Sequence, residues 1–298
     1  MKKRTLLKEN YGLFFVMPFL VLMVVFRLYP SLHTIYLSTF SGDYFIGMEF
    51  SGLDNYKRLF ADPVFFKSVF NTILIWVMNI IPRIAIALFF AYILSKNPPP
   101  IRGKSFFMAV FYLPNLITAA SIGALFAILL DWQTGPLNMW LMEFGIISEH
   151  IYWLNSPFWA RSFVALIIGW MWFGYATILL VAGMGTISED LYDCAYIEGA
   201  NHRQMFSKIT LPLIRPILAY IIVVSFIGGM QNFDIPSVLT DGLGSPDRSI
   251  LTVVMNLYNH SFIYFNMSYG AAISVGLFFL ILVISILFFR VTYKKEEE

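Results

Sequence analysis

The chain has 298 residues, of which 58% are hydrophobic and only 13% charged, with a formal net charge of +2. A soluble domain of this length is about half apolar and about a quarter charged, and a nucleic-acid binder carries a basic excess that is missing here. The composition is that of a polytopic, all-α integral membrane protein. The lone Cys194 excludes an intramolecular disulfide and a multi-cysteine metal site, and its expected use is as a small packing residue.

Six runs are long enough to cross the hydrocarbon, which takes about 20 apolar residues as helix. In chain order they are Tyr11–Tyr29, Val69–Leu94, Phe106–Leu130, Phe163–Met184, Pro216–Phe233 and Gly270–Phe289. The first run lacks a small-residue cleavage site after Phe26-Arg27-Leu28-Tyr29-Pro30, so it is expected to remain as a helix. Asn115 and Thr118 in the third run, and Gln231 and Asn232 in the fifth, blur the ends of those spans.

Basic residues orient the spans. With the N-terminus inside, the inner segments carry thirteen: Lys2, Lys3, Arg4 and Lys8; Lys96, Arg102 and Lys104; Arg203, Lys208 and Arg215; Arg290, Lys294 and Lys295. The outer segments carry six: Arg27, Lys57, Arg58, Lys67, Arg161 and Arg248. Both termini are therefore expected in the cytoplasm. The domain boundaries follow: residues 1–66 form the first span and an external loop, residues 67–290 the main membrane domain with a cytoplasmic loop at 186–215, and residues 291–298 a tail. Aromatics of the second external loop are expected at headgroup level.

Catalytic chemistry finds no support. The four histidines are scattered, no metal-ligand spacing is present, and no Ser-His-Asp set can be assembled. Gly103-Lys104-Ser105 imitates the end of a phosphate-binding loop, but the required first glycine is replaced by Pro98 and no strand is expected before it. The chain is not expected to be an enzyme, to hydrolyse ATP or to bind a cofactor.

The segment from Asp193 to Leu213, between the fourth and fifth spans, is rich in polar groups. Ser188 is expected to cap a helix whose positive end favours Glu189 and Asp190. Leu191 and Ala195 share a face of it, and Gly199 is placed to end it with a left-handed cap. A second short helix is expected from Asn201, with Met205, Phe206 and Ile209 on one side, broken by Pro212 and Pro216. Such a pair is either an interfacial loop or a docking surface.

This segment resembles the cytoplasmic loop of permease subunits of ATP-binding-cassette importers. There the pattern is Glu-Ala-Ala, three residues, Gly, nine residues, Ile-x-Leu-Pro. Here it is Asp193-Cys194-Ala195, three residues, Gly199, nine residues, Ile209-Thr210-Leu211-Pro212. Asp193 replaces Glu and keeps its charge; Cys194 replaces Ala and stays small. The wording around Gly199 is similar to the carbohydrate-importer branch, as is the stretch Phe50 to Phe65 before the second span. The external loop after the fifth span is similar too, although its usual Gly-Gly-Pro is altered to Gly242-Leu243-Gly244-Ser245-Pro246.

The resemblance implies a six-span type I importer permease in a prokaryotic inner membrane. Its implied partners are membrane lipid, a second homologous permease subunit, two ATPase subunits that carry ATP and Mg, and an external sugar-binding protein. Asp193, Ala195, Gly199, Ala200, Phe206 and Pro212 are the implied ATPase-coupling residues, with Ala200 and Phe206 fitting the ATPase cleft.

Sugars present hydroxyl edges and apolar faces, so a sugar path combines aromatic with small polar groups. Ile168, Met171, Trp172 and Tyr175 fall on one face of the fourth span, and Ser225, Gly228, Gly229 and Asn232 on one face of the fifth. In maltose-type relatives these two helices contact the sugar, and Tyr175, Ser225 and Asn232 match by offset from the loop motif. Met171, Trp172, Tyr175, Ser225, Gly229 and Asn232 are the expected path residues, with helix packing as the alternative for each. Trp170 is expected to face a neighbour, and Arg83 and Asp234 to find structural partners. A permease for another solute and an intramembrane enzyme are the competing functions.

Overall fold

The computed structural model describes residues 11–43, 47–95 and 102–293. Among the described residues four helices are long and apolar enough to cross a membrane: Phe14–Leu37, Pro63–Ser95, Pro157–Met184 and Met267–Phe288. Two bent pairs pass the same test if each counts as one span, Lys104–Leu116 with Ala119–Leu129 and His202–Leu213 with Arg215–Met230. Helix therefore occupies all six expected runs, the third as a broken pair and the fifth only as far as Met230 rather than Phe233.

Departures from the expected spans have local causes. The first helix, α1 (Tyr11–Met23), runs through a π-helical segment at Val24–Leu28 into α2 (Tyr29–Leu37) and so exceeds its expected end. The second, α4 (Pro63–Ser95), begins six residues earlier than Val69 because Pro63 suits a first helical turn, where no N–H donor is required. The third breaks by 87° between α5 (Lys104–Leu116) and α6 (Ala119–Leu129). Pro114 removes a donor near the end of α5, Ile117 is extended, and the Thr118 hydroxyl caps the Ser121 N–H at 3.2 Å to start α6 afresh. Among the described residues the exception to helix is a hairpin, β1 (Phe40–Asp43) with antiparallel β2 (Gly47–Phe50), followed by α3 (Asp54–Ala61).

The chain divides into two compact units, Met1–Asp62 with Leu257–Phe278, and Pro63–Asn256 with Phe279–Glu298. In the first, Tyr269 is fully buried; its hydroxyl donates to Asp62 at 2.6 Å, and the Arg58 guanidinium sits 3.9 Å above its ring. The His260 ring meets Tyr269 edge-on at 4.8 Å and Tyr264 at 5.4 Å.

Burial holds the His260 pKa below its ordinary value; the Arg58 charge adds to this and the Asp62 carboxylate opposes it. A depressed folded-state pKa means that the unfolded chain takes up the proton first. His260 should therefore cost no stability above about pH 6.5 and an increasing amount below it. Melting of the detergent-solubilised protein should show an acid loss between pH 7.5 and 5 that His260→Gln reduces. An unchanged acid loss in the variant would contradict this role.

The second unit has two apolar cores. One joins α4, α6, α8 (Pro157–Met184) and a short helix, α13 (Asp234–Leu239), through Ile75, Ile122, Ile167, Met171 and Ile235. The other joins α4, α8 and α12 (Arg215–Met230) through Ala87, Ala91, Leu180, Ile214 and Ile221. Between these cores the facing helices carry the polar groups that define the site.

Candidate functional site: a membrane cavity and a capped helix pair

A cavity of about 300 Å³ lies among α4, α8 and α12. Met171, Trp172, Tyr175, Ser225, Gly229 and Asn232 all border it, together with Ile168 and Gly228. Three and four residues apart on a helix means one face, so α8 turns one stripe and α12 turns Ser225, Gly228 and Gly229 toward the same space; Asn232, expected on that helical face, lies beyond the end of α12 at Met230 and reaches the cavity from the turn that follows. Met171 is only 4% exposed and belongs mainly to the packed core. Trp172 and Tyr175 meet edge-on at 5.8 Å and keep exposed ring surface. Trp170 lies away from the cavity, edge-on to Phe126 at 6.0 Å.

The polar groups differ in how they are satisfied. Ser225 Oγ accepts from Trp76 Nε1 at 3.1 Å, tying α12 to α4. The backbone carbonyl of Asn232 accepts from the Thr252 hydroxyl at 2.8 Å, while its side-chain Nδ2 is sealed and has no partner among the described residues. Close approach of α12 and α4 requires a small residue at 229, since a Cβ there would lie 2.6 Å from Trp76 Cδ1.

The α4 wall escaped the sequence analysis as a wall. Trp76, Asn79 and Arg83 border the cavity. Its signal was present: Ser68, Thr72, Trp76, Asn79 and Arg83 recur every three or four residues within an apolar run. Asn79 is held by a bond from its Nδ2 to the Ala165 carbonyl at 2.9 Å. The structural partners expected for Arg83 and Asp234 are not found among the described residues. Arg83 makes no hydrogen bond or ion pair there, and Asp234 makes no ion pair but begins α13, where the positive helix end favours a carboxylate.

The polar segment forms α9 (Glu189–Ile197), α10 (His202–Met205), a π-helical turn (Phe206–Thr210) and α11 (Leu211–Leu213). Ser188 takes the N-cap position without a capping bond; its hydroxyl instead donates to Asp190 Oδ2 at 3.2 Å. Gly199 has φ +83°, and its N–H bonds the Tyr196 carbonyl while that of Ala200 bonds the Ala195 carbonyl. This is a complete Schellman closure. Asn201 and Gln204 then form a reciprocal capping box, and Tyr192 hydroxyl meets Thr210 Oγ1 at 2.8 Å across the pair.

Three expectations for this segment are corrected. Phe206 does not project outward: it is half-buried and packs edge-on against Tyr92 at 5.1 Å. The outward apolar groups are Leu191, Tyr196 and Ile197, the last 83% exposed. Pro212 does not break the helix. It sits inside α11 after a wide turn in which the Leu211 N–H reaches back to Phe206 O, and the 62° bend falls at Ile214 before Pro216. Cys194 is exposed, not packed. Asp193 is exposed as well, and Ala195, Ala200 and Pro212 are half-buried.

Membrane-length helices, a largely apolar cavity with a few polar groups among α4, α8 and α12, and a capped polar helix pair between α8 and α12 are the features of a membrane transport component. The chain belongs to the family of binding-protein-dependent transport system inner membrane components, whose profile matches residues 59–294. It is similar to the lactose transport system permease protein LacF of Rhizobium radiobacter, with 34% identity over 98% of both chains. It is also similar to the arabinooligosaccharides transport system permease protein AraP of Bacillus subtilis, with 30% identity over 92% of this chain and 85% of that one. A crystal structure of a bacterial alginate ABC transporter, in complex with an alginate pentasaccharide-bound periplasmic protein, contains a chain of the same fold. It aligns with TM-score 0.80 at 20% identity, over 94% of this chain and 93% of that one.

Proposed function

We propose that the chain is one of two permease subunits of an ATP-driven sugar or oligosaccharide importer, with both termini in the cytoplasm. The supporting observation is convergence: five residues on α8 and α12, and Asn232 just past the end of α12, border one cavity, and those helices flank the capped segment. The sugar substrates named for its relatives agree with this reading. Trp172 and Tyr175 offer ring faces to the apolar side of a sugar, while Asn232 Oδ1 and Ser225 Oγ offer polar atoms to its hydroxyls.

Coupling is assigned to the segment around Asp193. Its exposed carboxylate is available to a basic group of an ATPase subunit, and Tyr196 and Ile197 supply the apolar contact. Phe206 and Pro212 act from inside, holding the helix pair against the spans. ATP and Mg reside on two partner ATPase subunits, and an external binding protein delivers the sugar. Closure of the ATPase pair would push the capped pair as a unit and, through α12, alter the α4–α12 wall.

Asn232→Ala and Tyr175→Ala test the path. Each removes a polar or stacking contact worth about 1 kcal/mol, so uptake per assembled complex should fall roughly fivefold at subsaturating sugar. Normal uptake per complex, with a defect in assembly alone, would assign these residues to packing.

A further inference from the structure

A guanidinium buried within a membrane domain is costly unless a partner neutralises it. Arg83 is 6% exposed, borders the cavity and has no hydrogen bond or ion pair among the described residues. Its Nε is sealed from solvent. The second sealed and unpartnered group on the cavity wall, Asn232 Nδ2, is also a donor. The other α4 donors are already used, Trp76 on Ser225 and Asn79 on the Ala165 carbonyl.

Asp234 also borders the cavity, but the two charges are far apart. The Trp76–Ser225 bond fixes one level on α4 and α12; Tyr92, later on α4, meets Phe206, ahead of α12, so the two helices run in opposite directions. Arg83 lies seven residues beyond that level toward one end, about 10 Å along α4 at 1.5 Å per residue. Asp234 follows the far end of α12 on the other side of it. The cavity is thus polarised, with a carboxylate at one end and an uncompensated cation at the other.

Neutral sugar hydroxyls both donate and accept, whereas a carboxylate only accepts and carries the missing charge. On the reading of this cavity as a sugar path, we propose that Arg83 forms a subsite for the carboxylate of an acidic sugar, so that the path favours uronate-containing saccharides over their neutral counterparts.

The experiment uses the purified complex with its second permease and ATPase subunits, without binding protein. Quenching of tryptophan fluorescence is titrated with α-1,4-digalacturonate and with α-1,4-galactobiose, which differ only at the C6 carboxylates. A charge-assisted hydrogen bond predicts a preference for the uronate of about tenfold or more. Raising the salt should weaken it, R83Q should bring the ratio to about one, and R83K should keep part of it.

Equal binding of the two sugars to the wild-type complex would overturn the proposal while leaving the sugar path intact, and so would a preference that survives R83Q. Saturable binding of neither sugar would overturn the path reading as well. Loss of complex assembly in both R83Q and R83K would also overturn it, making Arg83 a contact between subunits.

Discussion

Gly199→Val is expected to abolish ATP-driven uptake while the chain still inserts in the membrane. An added Cβ at this position would meet nothing within 4 Å, so crowding is not the obstacle. The backbone is: φ is +83°, a region that costs an L-residue about 1–2 kcal/mol and a β-branched one more. Relief of that strain requires loss of the two closing bonds to Tyr196 and Ala195. The angle between α9 and α10 then changes, and with it the position of Asp193, Tyr196 and Ile197. The spans contribute none of these bonds, so membrane insertion should be unaffected. Co-purification of ATPase subunits and ATP-driven uptake should both fall, Gly199→Ala showing a smaller loss. Full uptake by Gly199→Val would remove this segment from the coupling path.

Gly229→Leu is expected to close the cavity and lower uptake by tenfold or more. Even a Cβ at this site overlaps the Trp76 ring. Displacing the ring breaks the Trp76–Ser225 bond and its edge-on contact with Phe226 at 5.2 Å, and the new side chain takes part of the cavity's 300 Å³. Gly228 provides the comparison, because it borders the same cavity but a Cβ there would meet nothing within 4 Å. Gly228→Ala should retain most of the activity. Equal losses from Gly228→Ala and Gly229→Ala would show that contact with Trp76 does not matter.

The long spans were legible because hydrophobic length is a strong, one-dimensional signal. The two stripes on α8 and α12 were legible because helical period alone selects a face. Gly199 could be read as a cap because it meets a specific backbone need, whereas Ser188 makes no capping bond and the capping role of Asn201 was not read. Phe206 was grouped with Met205, which is buried; that their side faces inward, toward Tyr92, was not legible because a four-residue helix followed by a π turn has no stable period to project. Asn115 and Thr118 were read only as blurring the ends of the third span; the break beside them and its 87° angle depend on Pro114 and on how α5 and α6 pack. The α4 wall was missed because the run was judged by hydropathy and Arg83 alone was considered within it. The hairpin at Phe40–Phe50 was hidden in a loop whose aromatics gave no clean alternation.

On the proposed function this chain supplies one half of a sugar path and none of the energy. Reconstitution in liposomes is the test, with a second permease subunit, ATPase subunits and a binding protein added in turn and sugar uptake measured with ATP. Uptake is expected only with all components present, together with ATPase activity that rises when the binding protein carries its sugar. ATP-driven uptake by this chain alone would refute the proposed function.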